Sequence, residues 1–114
     1  MTTRVDWGPH ERQDARSLAF HRAAVEALRR APELSFKALE VLDRWESGSS
    51  IDSKPLRDEW RRIIQARLWE RAIEPSERGN QLRQASPLVF VLEKPVRDEI
   101  RERFDLPAIR KTVA

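Results

Sequence analysis

The run from Ser53 to Ile73, SKPLRDEWRRIIQARLWERAI, restricts what this chain can fold into more than any other stretch. Leu56, Trp60, Ile63, Ile64, Leu68 and Ile73 fall on one side of a helix, and Arg57, Asp58, Arg61, Arg62, Arg67 and Arg71 mostly take the other sides. Ser53 suits an N-cap, Pro55 stands where a missing N–H costs little, and Pro75 closes the far end. Such a helix is about 30 Å long, the span of a small domain. Its apolar face needs other helices to cover it.

The neighbouring segments supply them. Gly8-Pro9 opens a helix to about Arg30, whose stripe of Leu18, His21, Val25 and Leu28 is flanked by Ala15, Ala24 and Ala27. A second helix is expected from Pro32 to Ser47, with Leu34, Ala38, Leu39, Val41, Leu42 and Trp45 inward and Gly48 as its stop. SGSSIDS at 47–53 is a loop too short to separate two cores. After Pro75, Ser76 caps a short helix weakened by Gly79, which Ser86-Pro87 ends. The apolar run Leu88 to Leu92 has no second strand to pair with, so a buried irregular or 3₁₀ segment is favoured over a lone strand. Pro95 to Phe104 reads as the last helix, with Val96, Ile100 and Phe104 on one face and Asp105-Leu106-Pro107 as its end. The expected fold is all-α: one compact bundle of four to five helices over residues 1–114, with an arm at 1–8, an apolar irregular segment near 88–92 and a tail at 105–114. With 3 Gly and no Tyr, the composition agrees.

Charge and residue usage narrow the function classes. The net charge of +3 divides into +2 over residues 1–31, −3 over 32–53 and +4 over 54–114, with Glu and Asp interleaved throughout. Interleaved charge of this kind reads as solvated helix faces ahead of a nucleic-acid stripe. Without cysteine, neither a disulfide nor a thiolate metal site is available. No apolar run approaches membrane-spanning length and the N-terminus has no signal-peptide pattern, so a cytoplasmic location is expected.

Catalytic chemistry finds little to work with. His10 and His21 are eleven residues apart in one expected helix, about 16 Å along its axis and too far to share a metal. His21 lies on the apolar stripe as a hydrogen-bonded packing residue, and His10 with Asp14 reads as decoration of the helix start before it reads as a weak metal pair. Asp58-Glu59 and Asp98-Glu99 have arginines at helical spacing, and surface ion pairs account for them. There is no glycine-rich phosphate loop, G-x-S-x-G or H-E-x-x-H. The expectation is a protein that is not an enzyme, with no cofactor and no metal site.

Arg78 to Pro87 stands apart. Arg78, Asn80, Gln81, Arg83 and Gln84 concentrate side chains that make planar hydrogen bonds to carboxylates, phosphates or base edges. The segment is either an exposed connector or a recognition surface, and in the second case a protein partner is favoured over DNA. Trp69, beside the main stripe and so expected to be partly exposed, is a candidate aromatic anchor. Trp7 is another, although a clip onto the core is the preferred role for it. The alanine seam of the first helix and an exposed Trp69 would permit a homodimer. As a DNA-binding regulator, the chain would use 76–84 as a recognition helix, with Arg78, Asn80, Gln81 and Arg83 towards the bases.

S-L-A-F-H-R-A at 17–23, L-D-R-W-E at 42–46, W-R-R-I-I at 60–64 and S-E-R-G-N-Q-L-R-Q-A-S-P-L at 76–88 occur here in an order that resembles a family of small helical bacterial proteins. That family is associated with two-gene loci of toxin–antitoxin type beside nucleotidyltransferase-like genes. The resemblance covers residues 17–104 and is most specific at L-R-Q-A-S-P, 82–87, where related sequences more often carry Phe in place of Leu88. It implies an antitoxin-like role carried out by binding a partner protein, and it brings no catalytic residues.

Overall fold

The computed structural model describes residues 9–48 and 54–113, with side chains over 11–48 and 54–104. Six α-helices and two 3₁₀ turns follow one another, and there is no strand among the described residues. They are α1 (Pro9–Arg30), a 3₁₀ turn (Pro32–Leu34), α2 (Ser35–Gly48), α3 (Lys54–Ala66), α4 (Trp69–Ala72), α5 (Glu77–Gln84), a 3₁₀ turn (Leu88–Val91) and α6 (Lys94–Val113). The all-α bundle read from the sequence is the fold observed.

The hub is α1. It packs against both 3₁₀ turns, α4, α5 and α6, whereas α2 packs mainly on α3 and on the second 3₁₀ turn. Its heptad-like spacing buries Phe20, Ala24, Val25 and Leu28 in one stripe. Trp60 of α3 lies at the centre with no exposed surface, and its indole N–H donates to the Leu82 carbonyl at 2.7 Å. Leu42, Ile63, Leu82, Leu88 and Ile100 belong to the same buried cluster, which draws on α2, α3, α5, the second 3₁₀ turn and α6. The apolar run 88–92 does what its composition requires: as a 3₁₀ turn it buries Leu88 and Val91 while its backbone stays bonded. Phe90 turns outward and meets Trp45 edge-on at 6.1 Å.

The helix expected over 53–73 is broken. It stops at Ala66, and Arg67 takes a left-handed conformation, φ 56°. Leu68 N–H then bonds to the Ile63 carbonyl at 2.8 Å and Arg67 N–H to that of Ile64 at 3.3 Å. This pair of reversed bonds is a Schellman ending, normally built on glycine. The turn swings the chain so that Trp69 and Ala72 of α4 enter the core, with Trp69 only 7% exposed. The expectation of a partly exposed Trp69 is therefore wrong, because it assumed an unbroken helix. Ser53, the expected cap, lies outside the described residues, as do Trp7 and the side chain of His10.

Two further differences are smaller. Pro32 opens a 3₁₀ turn that leads into α2, where a uniform helix was expected. The last helix runs on through Asp105-Leu106-Pro107 to Val113. A proline inside a helix removes one hydrogen bond and so weakens the turn without necessarily ending it.

Arg57, read as a polar-face residue, is 4% exposed. It pairs with Glu46 of α2 at 3.6 Å, and Arg61 beside it reaches Asp43 at 3.1 Å and Glu46 at 3.6 Å. These pairs clamp α2 to α3. The acidic character of α2 thus has a partner in the basic face of α3.

Candidate functional site

The segment 76–84 forms α5, and its start is built by local chemistry. Ser76 adopts an extended backbone and its Oγ accepts from Gly79 N–H at 3.0 Å. Gly79 is buried against the preceding turn: a Cβ there would stand 2.1 Å from the Glu74 carbonyl oxygen and 3.0 Å from Arg83 Nη1. The residue that weakens α5 by propensity is the one that lets the helix approach its own connection.

Arg83 fills the space so formed. It is 4% exposed, and Nη1 donates to the carbonyls of Ala72 at 3.2 Å and Glu74 at 2.9 Å. Nη2 donates to Asn80 Oδ1 at 2.7 Å, and Asn80 Nδ2 donates in turn to Asp14 of α1 at 3.2 Å. Burial lowers the Arg83 pKa from its ordinary value, and the Asp14 and Glu74 carboxylates act in the opposite direction. Arg83 is a brace between α5 and the 72–74 turn, and its guanidinium has no open face to present to a partner or to a base edge.

His21 sits in the same interior, 3% exposed and stacked on Trp60 with ring centroids 5.8 Å apart. Nδ1 lies 2.7 Å from the Ser17 carbonyl, which can only accept, so Nδ1 carries the proton. Nε2 is buried without a partner. Burial, with the positive charge of Arg83 adding to it and the Ser17 bond opposing, lowers its pKa to about 4. His21 is the hydrogen-bonded packing residue its place on the stripe predicted.

Outside this interior, α5 presents a polar face. Arg78, Asn80, Gln81 and Gln84 line a groove of about 570 Å³ together with Glu77 and, from α1, Asp14. Arg78 is held from two sides, by Gln81 at 2.9 Å and by Glu59 of α3, which also takes Arg71 of α4 at 2.6 Å. One carboxylate thus ties α3, α4 and α5 together, and because two guanidinium groups share it the cluster keeps a net positive charge. What faces solvent is Arg78 with the amides of Gln81 and Gln84, and the carboxylates of Asp14 and Glu77 line the same groove.

Of the sequence candidates, four converge here: Arg78, Asn80, Gln81 and Gln84. Arg83 and Trp69 are withdrawn into the fold, and Trp7 lies outside the described residues. Asp14, Glu59 and Glu77 went unnoticed as members of the site. Asp14 is 66 residues from Asn80 in the chain and no local pattern connects them. Among the described residues, no three or more His, Asp or Glu side chains gather as a metal site would require. No helix of the described residues is long and apolar enough to cross a membrane.

No family model, curated protein or solved structure matches this chain.

Proposed function

We propose that this protein is a non-catalytic binding module that acts on a partner protein through the α5 groove, in the manner of an antitoxin that neutralises a toxin enzyme. The observation that carries this reading is the groove itself, where Gln81 and Gln84 are exposed on a helix whose inner side is fixed by Arg83 and Gly79. A rigid helix bearing adaptable amides loses little entropy when it binds. Asp14 and Glu77 at the edges complement a basic surface, such as the rim of an enzyme that handles nucleotides or phosphates. A nucleotidyltransferase-like toxin is a partner of that kind, and a cytoplasmic location goes with it.

DNA binding is the weaker alternative. A recognition helix at 76–84 was to direct Arg83 to bases, and Arg83 is instead spent on carbonyls of the protein. Arg78 is shared with Glu59, and two carboxylates border the groove, where DNA phosphates would meet repulsion.

The test is co-expression with the product of each adjacent gene, followed by size-exclusion chromatography and growth rescue. A stable complex that restores growth, and that Gln81→Lys with Gln84→Lys weakens at unchanged thermal stability, supports the reading. Absence of any complex, together with a promoter-specific mobility shift at low salt, would replace it with the DNA alternative.

A further inference from the structure

A second groove lies between α1 and α6, away from the α5 face. Its volume is about 520 Å³, and Ala23, Ala27 and Val96 contribute to an apolar floor. Arg22, Arg30 and Arg103 line it, with Glu26 as the one carboxylate among its lining residues. All three arginines are exposed, and none forms an ion pair with another described residue. Arg12, Arg16, Arg44, Arg62 and Arg67 are likewise without an ion pair among the described residues, and what marks this trio is that it surrounds an apolar floor.

The opposite chemistry lies on α2. Phe36 is 74% exposed, the most exposed large hydrophobic side chain among the described residues. Glu33 and Glu40, three residues before it and four after, are exposed on the same side and likewise have no described ion-pair partner. This is an aromatic knob beside two carboxylates and one lysine, Lys37, a net negative patch complementary to an apolar floor between arginines. The two features are close in the chain: Arg30 lines the groove, and Phe36 follows six residues later, within about 20 Å even if fully extended. An anchor and a receptor at one end of a molecule can be exchanged reciprocally between two copies, which closes a pair and leaves no open chain of subunits.

We propose that the groove between α1 and α6 receives Phe36 of a second copy of this chain, with Glu33 and Glu40 of one copy meeting Arg22 and Arg103 of the other. The contact uses none of the α5 groove, so the pair would carry two partner-binding faces. It neither needs the proposed function nor supplies it.

The experiment is a concentration series of the full chain by sedimentation equilibrium, from about 1 μM to about 1 mM, the range of weak association. The mass is expected to rise from the 13.4 kDa of one chain towards twice that value, less so at high salt. Phe36→Ser should weaken association at least tenfold. Charge reversal supplies the decisive arm. Glu33→Arg with Glu40→Arg in one chain, and Arg22→Glu with Arg103→Glu in another, should each leave the chain monomeric, because anchor and groove then carry like charge. Mixed together, the two variants should associate again, since each anchor meets a groove of opposite sign. All five positions are exposed, so the far-ultraviolet helical signal of each variant should match the parent. A parent that stays monomeric at the highest concentration overturns the proposal. So does association indifferent to Phe36→Ser, or a mixture that fails to recover.

Discussion

Arg83 Nη1 donates to the main-chain carbonyl of Glu74 across 2.9 Å, and that same carbonyl occupies the space a Cβ on Gly79 would enter. An arginine and a glycine four residues apart on α5 therefore serve one purpose, which is to seat the helix on the turn before it. The groove beside them owes its shape to this seating. Each of the two residues can be tested alone.

Gly79→Ala would normally stabilise a helix by about 1 kcal/mol. Here the added methyl meets backbone, which has nowhere to rotate, and the expected outcome is a loss of about 2–4 kcal/mol. For a domain of this size that is a fall in Tm of roughly 8–30 °C, read by thermal denaturation. A rise in Tm would show that the close approach to Glu74 is not a feature of the folded protein.

Arg83→Met should destabilise by about 2–4 kcal/mol, because the carbonyls of Ala72 and Glu74 and the Asn80 amide all lose a donor. Arg78→Ala, on the solvent side of the same helix, should cost no more than about 1 kcal/mol despite its pairing with Glu59. Urea midpoints of the two variants at a common pH make the comparison. Equal losses would mean that Arg83 is no more a brace than Arg78.

This contrast marks what the sequence could and could not convey. The all-α class, the Ser76 cap, the packing role of His21 and the buried run at 88–92 were all legible, because each follows from periodicity or local turn chemistry, whereas the helix count was one short through the break at Arg67. Which polar residues of 78–84 face inward was not. Arg83 is the only arginine of that helix with carbonyls in reach, and those carbonyls belong to a turn whose position depends on the break at Arg67. The break carried no signal, since a helix ending on a left-handed residue is recognised by glycine or asparagine and this one uses arginine.

That ending gives a third prediction. A non-glycine residue at φ 56° is disfavoured by about 1 kcal/mol, and Arg67 is exposed. Arg67→Gly should therefore stabilise the protein by about 1 kcal/mol, raising Tm by roughly 4–8 °C. Arg67→Val should lower it, because a β-branched side chain tolerates that conformation least. If Arg67→Gly destabilises, helix α3 continues through residue 67 and the break is misplaced.

The fourth prediction concerns acid. His21 has a pKa of about 4 in the folded protein against an ordinary value near 6.5 in the unfolded chain. The folded value is the lower, so the unfolded state takes up the proton first as pH falls. The contribution is fully present above pH 6.5, declines between pH 6.5 and 4, and is exhausted below that window. A gap of this size corresponds to about 3 kcal/mol. Carboxylates also lose their partners in acid, so the His21 share is isolated by difference. The stability of the parent relative to His21→Phe, which keeps a ring against Trp60, should fall by about 3 kcal/mol as pH drops from 7 to 4, read from denaturant midpoints of both. Parallel curves would mean that the imidazole is free to protonate where it stands, contrary to its burial between Trp60 and the Arg83 charge.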